Sequence, residues 1–81
     1  MKLGRRTRKE PIRLISRRHN YFPKRFMWRG QNYSVNNVVR AWTKMQRQGA
    51  LHFFRVRCKE GVFDLCQDIR LNTWYMARQV R

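Results

Sequence analysis

The strongest constraint on this chain is a repeating alternation of apolar and polar side chains, broken by short turn-forming clusters. After Pro23, Phe26 and Trp28 fall on one face of an extended chain and Arg25, Met27 and Arg29 on the other; Tyr33 and Val35 then resume the alternation. A period of two is the repeat of a β-strand. Between the two runs, Arg29-Gly30-Gln31-Asn32 reads as a tight turn in which Gly30 adopts a positive φ without steric cost. The segment predicts a β-hairpin. An earlier short strand opens just after Pro11, with Ile12, Leu14 and Ser16 alternating against Arg13, Ile15 and Arg17, and ends at the turn-like Arg18-His19-Asn20.

The C-terminal third follows the same rule. From Leu51 to Lys59, Phe54, Val56 and Cys58 alternate with Phe53, Arg55 and Arg57, and the chain returns from Val62 to Asp68. With Glu60-Gly61 as a two-residue loop, Cys58 faces Phe63, Arg57 faces Asp64 and Val56 faces Leu65. That register gathers Val56, Cys58, Phe63 and Leu65 on one face and sets up a favourable Arg57–Asp64 pair. A three-residue loop would oppose Arg57 to Phe63 and mix the faces. A last turn near Leu71-Asn72 leads to Trp74, Met76 and Val80 on one side and Tyr75 and Ala77 on the other.

Between these halves the pattern is double-valued. Val35, Val38, Val39, Trp42 and Met45 follow helical spacing, with Asn36 or Asn37 as N-cap and Gly49 as a stop, which favours a helix over 36–48. The β-branched content equally fits a long strand bent by a bulge at Asn36-Asn37. The expected architecture is mainly β: five or six antiparallel strands in a small sheet, with one helix at about 36–48. A flat sheet would leave its aromatic face wet, so curling into a partly open barrel, or cover by the 36–48 segment, is expected. Trp28, Trp42, Phe54, Phe63 and Trp74 are the expected core aromatics.

Charge sets the functional classes. Twenty Lys and Arg stand against four acidic residues in 81, a net charge of +16 and a pI near 11.7. Self-repulsion on that scale opposes compaction unless anions neutralise it. The length allows one domain with a thin core, and an apolar share of 42% argues against disorder. Residues 1–9 carry Lys2, Arg5, Arg6, Arg8 and Lys9 with Leu3 as the one large aliphatic residue after Met1, and read as a flexible basic arm before a single β-rich domain at 10–81. No run approaches the ~18 apolar residues of a membrane span, so integral membrane insertion is not expected. No apolar stretch follows the basic N-terminus as in a secretory signal. The expected location is cytoplasmic.

The catalytic inventory is thin. His19 and His52 are isolated, and neither belongs to a ligand pair. Asp64 and Asp68 have Arg55 and Arg57 across from them, so ion pairing is favoured over paired-carboxylate chemistry. Cys58 and Cys66 fall on opposite faces and make neither a C-x-x-C nor a metal signature; Cys58 is a core residue and Cys66 is open to exposure. The four glycines are scattered, with no phosphate-cradling loop. No cofactor or metal is expected. A minimal basic nuclease would need a base, an acid and an arginine together, and nothing in the sequence assembles that set.

Binding is better supplied. Lys and Arg neutralise phosphates, and exposed aromatic rings stack on unpaired bases for ~1–3 kcal/mol each. The expected phosphate contacts are Arg5, Arg6, Arg8 and Lys9 on the arm, with Arg17, Arg18, Lys24, Arg25 and Arg29 on the first sheet face. Tyr21, Phe22 and Phe53 are the expected surface stackers. The sequence therefore predicts a non-catalytic module that binds DNA or RNA; the alternative is an adaptor for an acidic protein partner in a replication, repair or ribonucleoprotein assembly.

The block F-x-W-R-G-x-x-Y-x-V (Phe26 to Val35), then Trp42, F-R-V at Phe54 to Val56, G-V-F-D-L at Gly61 to Leu65, Asp68 and Trp74 resembles an uncharacterised bacterial domain family built on a W-R-G-x-x-Y hairpin. The resemblance covers about residues 10–80. It implies a small β-rich fold found as standalone proteins, with similar sequence near DNA-repair polymerase machinery, and it brings no catalytic residue. The chain departs from that family at its end, where Arg78-Gln79-Val80-Arg81 replaces a terminus that is often acidic.

Overall fold

A computed structural model describes residues 10–80, all of whose regular elements are strands. They are β1 (Glu10–Pro11), β2 (Arg13–Arg18), β3 (Phe22–Trp28), β4 (Gln31–Gln46), β5 (Gly49–Cys58), β6 (Gly61–Asp68) and β7 (Thr73–Val80). One antiparallel sheet holds them in the order β1-β7-β6-β5-β4-β3-β2. Successive β1 and β2 thus occupy the two ends of the sheet. Ile12 joins them, and its N–H donates to the Trp74 carbonyl at 3.0 Å. The chain leaves the edge of β7 and enters the edge of β3 within three residues, which forces the sheet to curl into a half-barrel.

The mainly β, antiparallel, curled architecture matches the sequence expectation, but the strands number seven and the expected helix over 36–48 is part of β4. Its spacing has a specific cause. The β4–β5 register slips between Val35 and Asn37 and again between Val38 and Arg40, leaving Asn36 and Val39 as bulge residues. Each bulge adds one residue to a period of two, so Val35, Val38 and Ala41 reach the inner face three residues apart. That interval imitates a helix. Trp42, expected in the core, lands on the opposite face, and Met45 is 75% exposed.

The inner face carries the core. Phe26, Phe54, Val56 and Leu65 are fully buried, surrounded by Trp28, Tyr33, Val35, Cys58, Phe63, Trp74 and Met76, with Ile12, Leu14, Phe22 and Val38 packed against them. Each such aliphatic or aromatic side chain contributes about 1.5–3 kcal/mol on burial. Phe26 stacks on Tyr33 at 5.0 Å, and Phe54 on Trp74 at 5.7 Å.

Turn chemistry sets the registers. Arg29 and Gly30 both take positive φ, 51° and 76°, the combination of a two-residue hairpin whose twist matches its strands. In the β5–β6 hairpin the loop is Lys59-Glu60, and Cys58 pairs with Gly61, whose φ of 149° strains any residue with a side chain. The expected register is therefore displaced by two residues: Arg55 faces Asp64 and Val56 faces Phe63. An even displacement keeps every side chain on its face, so the expected set of Val56, Cys58, Phe63 and Leu65 survives. A further bulge, at Ala77, turns Val80 away from the face of Trp74 and Met76 and sets it opposite Val62.

Candidate nucleic-acid interface

The outer face of β4 to β7 is built in cross-strand rows. Trp42 lies opposite Phe53, Phe53 opposite Cys66, and Cys66 opposite Tyr75. The neighbouring row runs Arg40, Arg55, Asp64, Arg78. Arg40 and Trp42 share the outer side by plain alternation, because the run from Arg40 to Gln46 pairs with β5 in unbroken register from the turn at 47–48. On that side the Trp42 and Phe53 rings stack in nearly parallel planes, 5.3 Å between centroids and 7° apart. The Arg40 guanidinium sits 4.8 Å from the Trp42 ring centroid and that of Arg55 5.8 Å. Two arginines directly opposite each other repel. Here the aromatic quadrupole attracts both, and Asp64 neutralises one of them.

The Asp64 carboxylate accepts hydrogen bonds from Arg55 Nε at 2.8 Å and Nη2 at 3.0 Å, with Arg78 Nε at 3.9 Å on its other side. The hydrogen bonds to Asp64 hold the Arg55 guanidinium above its ordinary pKa. Long side chains from β5 and β7 flank β6, which explains why Asp64 and Cys66 are buried although they point away from the core. Cys66, which the sequence left open to exposure, is thereby closed off. The outcome is a ladder of planar groups, Phe53, Trp42 and the two guanidiniums, on a half-exposed surface. An unpaired base can extend such a ladder by stacking, while arginine reaches its phosphate.

The sequence-predicted binding residues occupy several separate places. Arg5, Arg6, Arg8 and Lys9, with the rest of the arm, lie outside the described residues. Arg17 and Arg18 on β2, and Lys24 and Arg25 on β3, are exposed along one hairpin, with Lys24 at a bulge and Arg25 between Ser16 and Ser34. Arg29 is committed to Glu10: its Nη2 and Nε donate to the carboxylate at 2.7 and 3.0 Å, and its guanidinium lies 4.5 Å from the Trp28 ring. Those hydrogen bonds raise its pKa. Tyr21 is exposed at the hairpin tip, where its ring meets Phe22, His52 and Phe54 edge-on; Phe22 packs against the core. Phe53 alone of the expected stackers belongs to the outer ladder. Arg40, Trp42, Arg55 and Tyr75 were missed. Reading 36–46 as a strand with Arg40, Trp42 and Lys44 in alternation would have found the first two.

Other reactive groups have structural partners. His52 Nδ1 lies 3.0 Å from Thr43 Oγ1. Asp68 accepts from the Leu71 N–H at 3.2 Å and shapes the β6–β7 turn. Burial pushes the Cys58 thiol up to about 11, with help from the Glu60 charge, so it stays protonated near neutrality. Among the described residues no group of three or more His, Cys, Asp or Glu is placed to hold a metal, and no helix is long and apolar enough to cross a membrane.

The chain belongs to the family described as Domain of unknown function (DUF6504), whose model matches residues 3–79. The matched span takes in most of the basic segment that the motif-based resemblance left outside. No curated protein and no solved structure matches the chain.

Proposed function

We propose that this member of a family without an assigned activity is a non-catalytic nucleic-acid-binding module. The β2–β3 hairpin, through Arg17, Arg18, Lys24 and Arg25, and the basic segment at residues 1–9 neutralise phosphates; the outer face of β4–β5 receives unpaired bases. The observation that carries this reading is the Trp42–Phe53 stack with Arg40 and Arg55 against it, on a chain of net charge +16. A structural core would not place a tryptophan and a phenylalanine side by side on the outer face, nor leave two guanidiniums on them. The commitment of Asp64, Asp68 and His52 to local partners supports a binding role over a hydrolytic one.

The test is a titration of labelled single-stranded DNA, duplex DNA and RNA, each at three salt concentrations, with the full chain and with residues 1–9 removed. Engagement of about five phosphates gives a log–log salt slope of roughly −4.5 on duplex and about −3.5 on a single strand. Loss of slope on truncation counts the phosphates held by the basic segment. Absence of binding at low salt overturns the reading. The adaptor reading has its own support in the edge of β4 from Asn37 to Gln46, along which no strand lies among the described residues.

A further inference from the structure

β4 is sixteen residues long, yet β3 pairs with it only from Gln31 to Ser34. Beyond Ser34 the start of β3 parts from β4, and the Tyr21 tip of the β2–β3 hairpin packs on Phe54 of β5 instead. Among the described residues no strand lies along that side of β4 from Asn37 to Gln46. The run Arg40 to Gln46 stays in unbroken register with β5, so its other edge offers seven residues of regular strand, roughly 23 Å. A groove of ≈ 460 Å³ runs between the diverging strands; Phe22, Pro23, Val38 and Ala41 line it, together with Arg18 and Arg40, and no carboxylate does.

We infer that this edge is a strand-addition site for an extended acidic segment of another protein. Main-chain pairing with an exposed edge supplies affinity, and pockets for alternate side chains supply selectivity. Apolar side chains of the added strand meet Phe22 and Val38, and its carboxylates meet Arg18, Arg40 and Lys44. Charge excludes the other occupants. A second copy would set Arg40 and Lys44 of one edge against their counterparts on a chain that itself carries +16, and the chain's own residues 1–9 are equally basic. The bulges at Asn36 and Val39 and the lysine at 44 are devices that suppress self-pairing of edges while leaving them open to a complementary strand. The site shares Arg40 with the Trp42–Phe53 ladder, but main-chain pairing along the edge of β4 does not require nucleic acid to bind there.

The test uses an acetylated and amidated octapeptide alternating Glu with Val, followed by NMR and amide hydrogen exchange on the full chain. The expected result is slowed amide exchange confined to residues 37–46, with shift changes there and at Arg18 and Phe22 across the groove. Methylating alternate backbone nitrogens of the peptide should weaken binding by roughly tenfold or more, a Lys–Val peptide should not bind, and the Phe53→Ala variant, changed on β5 and not on the edge, should bind the peptide as well as the parent chain. Equal binding of the N-methylated peptide, or shifts spread over the arginine-rich outer face without protection of β4, would mean bare charge attraction and overturn the inference. Dimers in sedimentation that protect the same amides would assign the edge to a second copy. Protection of those amides by an oligothymidylate that displaces the peptide would assign it to nucleic acid.

Discussion

Arg55 stands directly across the β5–β6 ladder from Asp64, and the two are joined by a bidentate pair of hydrogen bonds of 2.8 and 3.0 Å. The pair sits at the centre of the outer row: Arg40 faces Arg55 on one side and Arg78 faces Asp64 on the other, so a single buried carboxylate serves two guanidiniums, those of Arg55 and Arg78.

Replacing Asp64 with Asn removes that charge and leaves the arginines repelling one another. Melting measured by calorimetry should fall by several degrees at low salt, and the loss should shrink as salt screens the repulsion. An unchanged Tm at low salt would show that the pair carries no stability.

The strand geometry predicts unequal costs for a side chain on β6 and one on β4. Leu65→Ala empties a fully buried site and should cost ~2–5 kcal/mol in urea unfolding. Met45→Ala, at a side chain 75% exposed, should stay within about 0.5 kcal/mol. A helix with Met45 on its buried stripe would reverse the second expectation.

Cys58 gives the alkaline behaviour a sign. Its thiol is held neutral by burial, with a pKa raised from 9.0 to about 11. A raised pKa in the folded state contributes stability that is present below the unfolded value and lost as pH climbs through the folded one. The stability difference between the parent chain and Cys58→Ala should therefore hold steady below pH 9 and narrow between about 9 and 11. Urea titrations at stepped pH measure it, and a constant difference across that window would contradict the burial argument. Thiol reagents should react with Cys58 at neutral pH only after unfolding.

Glu10 ties the first strand to the β3–β4 turn. Its carboxylate accepts from Trp28 Nε1 at 2.7 Å as well as from Arg29. Glu10→Gln keeps the shape but loses the ionic half of the clamp. The expected outcome is a lower Tm and a red-shifted tryptophan emission as water reaches Trp28. An unshifted spectrum with an unchanged Tm would show that β1 is held by its pairing with β7 alone.

Much of the fold was legible because strand alternation survives errors of register. Phe26, Trp28, Phe54, Val56, Phe63 and Trp74 reach the core even though the β5–β6 turn falls one position early, since the resulting even slip leaves faces unchanged. What the sequence left unmarked are two of the bulges. The bend at Asn36-Asn37 was one of the two readings of 36–48, but Val39 and Ala77 carry no residue type that marks an extra position; Asn36 and Val39 together give a strand the spacing of a helix, and Ala77 turns Val80 round. The site was hidden for the same reason. Phe53 was readable as a surface ring from its arginine neighbours, but its partners Trp42 and Arg40 lie across the turn at 47–48, in a segment whose spacing reads as a helix. Arg29 misled in the other direction, because its carboxylate partner lies nineteen positions away in the sequence.

The most direct test compares the parent chain with the W42A/F53A double variant in anisotropy titrations of labelled single-stranded DNA and of duplex of the same length. Trp42 and Phe53 lie outside the core cluster, so the variant should fold. Stacking is worth ~1–3 kcal/mol per ring, so single-strand affinity should drop roughly tenfold or more while the salt slope, set by phosphates, stays unchanged. Duplex affinity should hardly move. Equal affinity of parent and variant for the single strand would contradict the ladder as a base-binding surface; a matching loss on duplex would mean that the rings serve the fold rather than the bases.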